Sequence, residues 1–247
     1  MLSVIVPAYR AASTIYENLQ ALLDALDGLD APYEVVVVPD GADDDTAKRA
    51  ARHHDRIHLA GYPDHRGKGF AVRHGVAHCR GEHIAYIDAD MELRPDGLGA
   101  LLALVQGGAD VALGSKRHPA SRVRYPLFRR LQSALYQGLV RTLFDLDVSD
   151  TQTGLKVFRG DLLRDVAPTL ESDGFAMDLE LLVALRDRGA RFAEGPVRLD
   201  YRFASTIGPR DTLVVLADTM RIYRRWMTRG RRRRSLARAR TVARPRR

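Results

Sequence analysis

The chain has 247 residues, enough for one large α/β domain or two small ones, and 45% of them are hydrophobic, enough for a real core. Its single cysteine, Cys79, excludes an internal disulfide and reads as core filler in a reducing compartment. The net charge is +8, but thirteen arginines and no acidic residue follow residue 220, so the first 220 residues carry −5 and the basic character belongs to the tail.

From the N-terminus, Leu2 to Val6 predicts a strand ending at Pro7-Ala8-Tyr9. Ser13 is placed to cap a helix through about Leu26, with Ile15, Leu19, Leu22, Leu23 and Leu26 at helical spacing. Val35 to Val38 predicts a second buried strand, which runs into the acidic turn Pro39 to Thr46, whose aspartates are suited to cap the next helix. A short strand at Ile57 to Ala60 precedes a loop and the stretch Arg66 to Gly75, within which Lys68 either approaches a ligand or simply starts a helix.

Ile84 to Ile87 is an apolar run that stops at Asp88-Ala89-Asp90. Residues two apart on an extended chain face the same way, so the two carboxylates repel unless a cation lies between them. Hard oxygen ligands suit Mg²⁺ or Mn²⁺, with Glu92 as a third oxygen; the alternative is a solvated aspartate-rich turn. A helix from Pro95 to Val105 and a strand from Val111 to Leu113 follow, the latter ending in Gly114-Ser115-Lys116-Arg117. Four or five strands alternating with helices predict an α/β fold, a mostly parallel central sheet flanked by helices on both faces. Ligands in such sheets bind beyond the carboxyl ends of the strands, where each of these polar clusters falls. Neither Gly-x-Gly-x-x-Gly nor a Walker-type loop occurs, which excludes the usual glycine-rich phosphate cradles. The eight histidines are scattered and read as surface or structural residues.

Further on, Tyr125 to Phe144 predicts an amphipathic helix, and Leu213, Leu216, Met220, Tyr223 and Met227 repeat at helical steps beside Trp226. Each helix either packs on the sheet or lies in a lipid interface. Residues 1–228 are expected to form one domain, with halves 1–117 and 118–228, and 229–247 a disordered polybasic tail that binds anionic lipid or nucleic acid. No apolar run approaches the ~18 to 20 residues of a membrane span, and no signal-peptide pattern follows Met1. A cytoplasmic protein, peripheral on the cytoplasmic face of a membrane, is the expectation.

Val4-Ile5-Val6-Pro7-Ala8-Tyr9, Val38-Pro39-Asp40-Gly41, Lys68-Gly69-x-Ala71-Val72-Arg73-x-Gly75 and Asp88-Ala89-Asp90 resemble, in order, the motifs of family-2 glycosyltransferases with the nucleotide-diphospho-sugar (GT-A type) fold. In the second half, Gly114-Ser115-Lys116, Arg129-x-x-x-Ser133, Asp150 to Phe158, Phe175 to Leu182 and Glu194-x-Pro196-Val197 resemble the dolichyl-phosphate glucosyl- and mannosyltransferases. The resemblance implies a donor site at Pro7, Ala8, Tyr9, Asp40, Lys68 and Asp88, and metal ligands at Asp88, Asp90 and Glu92. It also implies acceptor-phosphate contacts at Lys116, Arg117, Arg129 and Ser133. Asp150 either orders the site, binds near the acceptor, or caps the following strand; Asp178 and Glu180 stand out only through the family motif and otherwise read as the exposed side of a helix.

The implied reaction is an inverting, metal-dependent transfer of a hexose from UDP-glucose or GDP-mannose to a polyprenyl phosphate at an anionic membrane surface, with Mg²⁺ or Mn²⁺ as cofactor. Pro39, Ala42 and Arg10-Ala11 depart from the family pattern around the nucleoside, so donor sugar and base stay open. The alternatives are transfer to a soluble or glycan acceptor and, through the tail, a nucleic-acid-binding module; the acidic body and the lack of interleaved aromatics leave no nucleic acid expected as partner.

Overall fold

The structure is a computed structural model that describes residues 1–53, 55–123, 127–199 and 214–228, with the side chains of 127–133 outside the description. The chain divides into two compact units, Met1–Ser205 and Thr206–Arg247, a division that falls before the helix expected to close the first domain at 228. The expected tail, 229–247, lies outside the described residues.

The first unit is built on β1 (Leu2–Ala8), α1 (Ile15–Asp27), β2 (Tyr33–Pro39), α2 (Thr46–Ala50), β3 (His58–Leu59), α3 (Lys68–His78), β4 (His83–Ile87) and α4 (Leu98–Gln106). It continues with β5 (Val111–Ser115), β6 (Arg122–Val123), α5 (Leu127–Phe144), β7 (Leu155–Arg159), α6 (Gly160–Val166), α7 (Met177–Arg186), β8 (Phe192–Pro196) and β9 (Arg198–Leu199). Seven strands form one sheet in the order β3-β2-β1-β4-β7-β5-β8, and β6 and β9 pair separately. Within the large sheet only β7 is reversed, lying antiparallel to both β4 and β5, so the expected mostly parallel sheet is present with one insertion the sequence pattern did not order.

Strand side chains alternate between two layers. Leu2, Val4, Val6 and Ala8 of β1, with Ala85 and Ile87 of β4, join α1 and α4 in one continuous core. On the opposite face α3 lies on Ile5 and Val38: a Cβ at Gly75 would stand 2.5 Å from the Ile5 side chain, so a glycine is needed for that approach. Burying both faces is what makes Val4 to Ala8 of β1 and Val35 to Pro39 of β2 unbroken apolar runs.

Two helix starts differ from expectation. Ser13 does not cap α1; the Thr14 and Ile15 amides donate to the Ala11 carbonyl at 3.0 and 2.9 Å, and this backbone turn takes the place of a hydroxyl cap. In the acidic turn, Asp45 at the cap position of α2 makes no side-chain cap bond, whereas Asp44 accepts the Thr46 amide at 3.0 Å and the Ala12 amide at 3.2 Å. Asp44 thereby ties this turn to the loop after β1. In the second unit the chain is helical over 214–228. Among the described residues no helix is long and apolar enough to cross a membrane.

Candidate active site

The carboxyl ends of β1, β2, β4 and β5 present Tyr9, Asp40, Asp88 and Lys116 on one edge of the sheet. At the first of these, Pro7 and Ala8 are buried and the chain turns at Arg10, whose φ of 48° is left-handed. A non-glycine residue there carries a cost of about 1 kcal/mol and signals a turn fixed by its surroundings. Tyr9 is 41% exposed and stacks on His65, ring centroids 3.9 Å apart. Its hydroxyl donates to Asp43 at 3.2 Å, and Arg10 reaches the same oxygen at 3.1 Å.

Asp40 is 3% exposed and holds the next loop. Its two oxygens accept the Arg66 and Gly67 amides at 2.7 and 2.8 Å, and the His65 ring nitrogen lies 3.0 Å away. Gly67 must be glycine: its φ is 98°, and a Cβ would sit 2.6 Å from the Asp173 carbonyl. This loop delivers Lys68, the first residue of α3, to the end of β4.

There Lys68 Nζ lies 2.7 Å from Asp88 Oδ1 and 3.4 Å from Asp178 Oδ2. Asp178, 2% exposed, also accepts from Lys156 Nζ at 2.7 Å and from the Tyr86 hydroxyl, while Lys156 donates to the Thr153 carbonyl. The expectation that Asp178 and Glu180 are exposed is overturned. Both are buried, Asp178 because two lysines need a counter-ion, and Glu180 because its carboxylate accepts the Glu171 and Ser172 amides at 3.2 and 2.8 Å. Tyr86 and Asp88, two apart on β4 and its exit, meet the same network, as strand alternation requires.

Burial by itself lowers the pKa of Lys68, but the charges of Asp178 and Asp88 outweigh it and raise the value, so the ammonium stays protonated. For Asp178 burial pushes upward, and Lys156 and Lys68 overcome it and hold the carboxyl below its usual range. Lys156, with no exposure, moves the other way: burial dominates and lowers its pKa in spite of Asp178. Asp90 is open at its surface, yet the loss of surrounding water in the cleft, and then the Asp88 charge, raise its pKa, with Lys68 and Lys116 opposing. The chain turns sharply just past it, at Met91 with φ 50°.

A divalent cation fits the chemistry of this donor set: two adjacent carboxylates of hard oxygen, one of them already drawing a cationic stand-in, the Lys68 ammonium. Gly154 maintains the space, because a Cβ there would lie 2.0 Å from Asp88 Oδ2, and its carbonyl accepts the Asp88 amide at 3.1 Å. Glu92 is not drawn into a triad; its amide donates to Asp90 Oδ1 at 3.1 Å, and among the described residues no three His, Cys, Asp or Glu side chains gather as metal ligands.

At the end of β5, Lys116 stands 3.9 Å from Asp150, whose carboxylate also accepts the Gln152 amide at 3.1 Å. Ser115 and Ser149 share a hydrogen bond of 2.6 Å, and Glu194 accepts from the Ser149 hydroxyl at 2.7 Å, which fixes the loop that carries Asp150. Arg117 enters through its amide, 3.2 Å from the Ser115 hydroxyl. Arg129 and Ser133 lie on α5, with side chains outside the described residues. Sequence pattern does not single out His65, Tyr86 or Lys156 as site residues; a lysine in the apolar run Leu155 to Phe158 is the available signal, since a buried ammonium demands an acid.

Residues 3–167 match the family model described as glycosyl transferase family 2. The chain is 34% identical over 202 residues to glycosyltransferase AglD of Haloferax volcanii, covering 79% of this chain and 32% of that protein. It is 27% identical over 244 residues to the dolichyl-phosphate beta-glucosyltransferase of Dictyostelium discoideum, covering 92% of this chain and 75% of the relative. It is 31% identical over 200 residues to the human enzyme of that name, covering 73% and 61%. The chain thus spans about a third of AglD and less than two thirds of the human relative.

Among solved structures, glucosyl-3-phosphoglycerate synthase from Mycobacterium tuberculosis with UDP superposes with a TM-score of 0.69 at 19% identity, covering 90% of this chain and 80% of that one. Mannosyl-3-phosphoglycerate synthase from Rubrobacter xylanophilus gives 0.69 at 21%, covering 94% and 75%. The fold is accordingly of the GT-A type. With the ordered motifs, the sheet and the paired aspartates at the end of β4 all in place, this chain belongs to glycosyl transferase family 2.

Proposed function

We propose that this enzyme transfers a hexose from a nucleotide diphosphosugar, UDP-glucose or GDP-mannose, to a polyprenyl phosphate at a membrane surface, with inversion and with Mg²⁺ or Mn²⁺. The observation that carries the reading is the pair Asp88 and Asp90 at the end of β4, with Lys68 against the first of them. Relatives named dolichyl-phosphate beta-glucosyltransferase support the lipid phosphate acceptor, and a structural neighbour held with Mn²⁺ and UDP supports the metal and a uridine donor.

Asp88 and Asp90 would hold the cation, with Glu92 the third oxygen of the family motif. Bound there, it would offset the negative charge that builds on the departing diphosphate. Pro7, Ala8, Tyr9 and Asp40 form the nucleoside end; Tyr9 offers an exposed aromatic face backed by His65. A polyprenyl phosphate has its second ionisation near ~6 by analogy with phosphoserine, so at neutral pH it is mostly a dianion. Such a nucleophile needs no general base, only cations that position it, a role that falls to Lys116, Arg117 and Arg129 with Ser133. Asp150 orients Lys116. The arginine-rich segment 229–247 would add attraction to an anionic leaflet.

Transfer to a soluble phosphorylated acceptor is the second reading, favoured by neighbours named as synthases of sugar-3-phosphoglycerates. The test is transfer of radiolabelled sugar from UDP-glucose and GDP-mannose, with Mn²⁺ or Mg²⁺, to polyprenyl phosphate in vesicles, against vesicles without it. Label extracted with lipid, dependent on the polyprenyl phosphate, is the expected result. Label transferred equally to phosphoglycerate without lipid would replace the proposal with the second reading.

A further inference from the structure

Lys68 is placed where the metal reading puts a competitor. Its ammonium sits 2.7 Å from Asp88 Oδ1, on one of the two carboxylates that would hold a divalent cation, and it is partly enclosed, with a side-chain exposure of 13%. It is not a stray surface contact: Asp178 holds it from behind at 3.4 Å, and Asp178 is itself pinned by Lys156 and Tyr86. The N-terminal anchor is equally firm, since Asp40 binds the two amides that precede Lys68.

Charge counting shows what this arrangement does. Asp88, Asp90 and Asp178 bring three negative charges; Lys68 and Lys156 return two. Lys156, fully buried, is tied to Asp178, so Lys68 is the cation in direct contact with the carboxylate pair, through Asp88, while Lys116 acts on Asp90 only through its charge. A divalent ion arriving alone meets a carboxylate already paired and, a few ångströms away, an ammonium that repels it. A diphosphate changes the balance, because its oxygens offer Lys68 another partner while Asp178 keeps the ammonium at the site. Lys68 then moves from carboxylate to phosphate, and Asp88 is released for the cation.

Resting on the donor-site reading above, we infer that Lys68 is a resident stand-in for the divalent cation, which makes cation binding conditional on the nucleotide diphosphate. Free cation binds weakly, and cation and nucleotide enter as a coupled pair. By linkage the coupling is reciprocal, so the nucleotide also gains from the cation.

The test uses the full chain and Mn²⁺ as the probe, its free concentration read by electron paramagnetic resonance, with and without UDP or GDP. In the wild type, the nucleotide should tighten Mn²⁺ by about tenfold or more. Lys68→Met should bind Mn²⁺ alone about tenfold more tightly than the wild type and lose most of the enhancement, while Lys68→Arg, which keeps the charge, should bind the free ion as weakly as the wild type. Circular dichroism and thermal melting establish that each variant is folded. Should Lys68→Met not fold, the wild type alone still decides: tight Mn²⁺ binding without nucleotide overturns the inference. Equal Mn²⁺ affinity and equal nucleotide enhancement in wild type and Lys68→Met would overturn the role of Lys68 while leaving the donor site standing. No Mn²⁺ binding by either protein with either nucleotide would overturn both.

Discussion

At the end of β4, Lys68, Asp178, Lys156 and Tyr86 are cross-linked below the surface, with Lys156 and Asp178 side chains 0% and 3% exposed. At the ends of β1 and β2, Arg10 and Asp43 meet in the open, 65% and 37% exposed, beside the Tyr9 and His65 stack. The first region is a charged core in which each group needs the others, because an unpaired buried charge is costly. The second is a set of surface contacts, each worth little and each replaceable. In the site as proposed, the metal and phosphate end is therefore rigid and intolerant of change, and the nucleoside end is open to variation. The departures from the family pattern, Pro39, Ala42 and Arg10-Ala11, all fall at that second end.

The comparison breaks most visibly at Asp178. Asp178→Asn leaves two lysines with a neutral partner and is expected to cost about 3–5 kcal/mol of stability, as removal of one member of a buried pair does. Urea unfolding measures it, and a loss below about 1 kcal/mol, the range of a surface pair, would contradict the buried network. A pH series sharpens the point. The folded pKa of Asp178 lies below its unfolded value, so its contribution is complete above the unfolded carboxylate value of about 3.9 and is lost as pH falls through the depressed folded one. Wild-type stability should accordingly fall more steeply in acid than that of Asp178→Asn.

Asp90→Ala comes next. It removes one of the paired carboxylates, so metal-dependent turnover should drop by about 10²–10³-fold, the scale of losing one group that stabilises the transition-state charge. Asp90 does not bridge the buried lysines, and the melting temperature should hardly move. Turnover unchanged from the wild type would remove Asp90 from the site.

Arg10→Ala should show the smallest effect. An exposed ion pair contributes about 0–1 kcal/mol, so unfolding free energy should stay within that range and kcat should be preserved, with any change appearing in the donor KM. A tenfold loss of kcat would place the nucleoside end in the same rigid class as the end of β4.

How far the sequence could go follows the same division. Runs such as Leu2–Ala8 and Val35–Val38, and the stop at Asp88, announce strands and a polar exit because local periodicity and burial agree. The ordered motifs located the ends of β1, β2, β4 and β5; β2, β1 and β4 are neighbours in the sheet, and β5 follows one strand further on, beyond β7. The reversal of β7 between β4 and β5 was not legible, since strand order depends on pairing between residues 43 to 76 positions apart. Nor was the Asp178 network: a helical reading of Met177 to Val183 puts acids on the water side, whereas lysines from β7 and α3 and a tyrosine from β4 turn Asp178 inward. Lys156 in an apolar strand was the one local conflict, and it marks the place where tertiary pairing decided.

Diffraction from crystals grown with Mn²⁺ and UDP, recorded at the manganese absorption edge, tests the central claim most directly. The account predicts an anomalous peak between Asp88 and Asp90, bridged to the diphosphate, with Lys68 moved off Asp88. Nucleotide bound with no manganese at those carboxylates, or manganese held elsewhere, would contradict it.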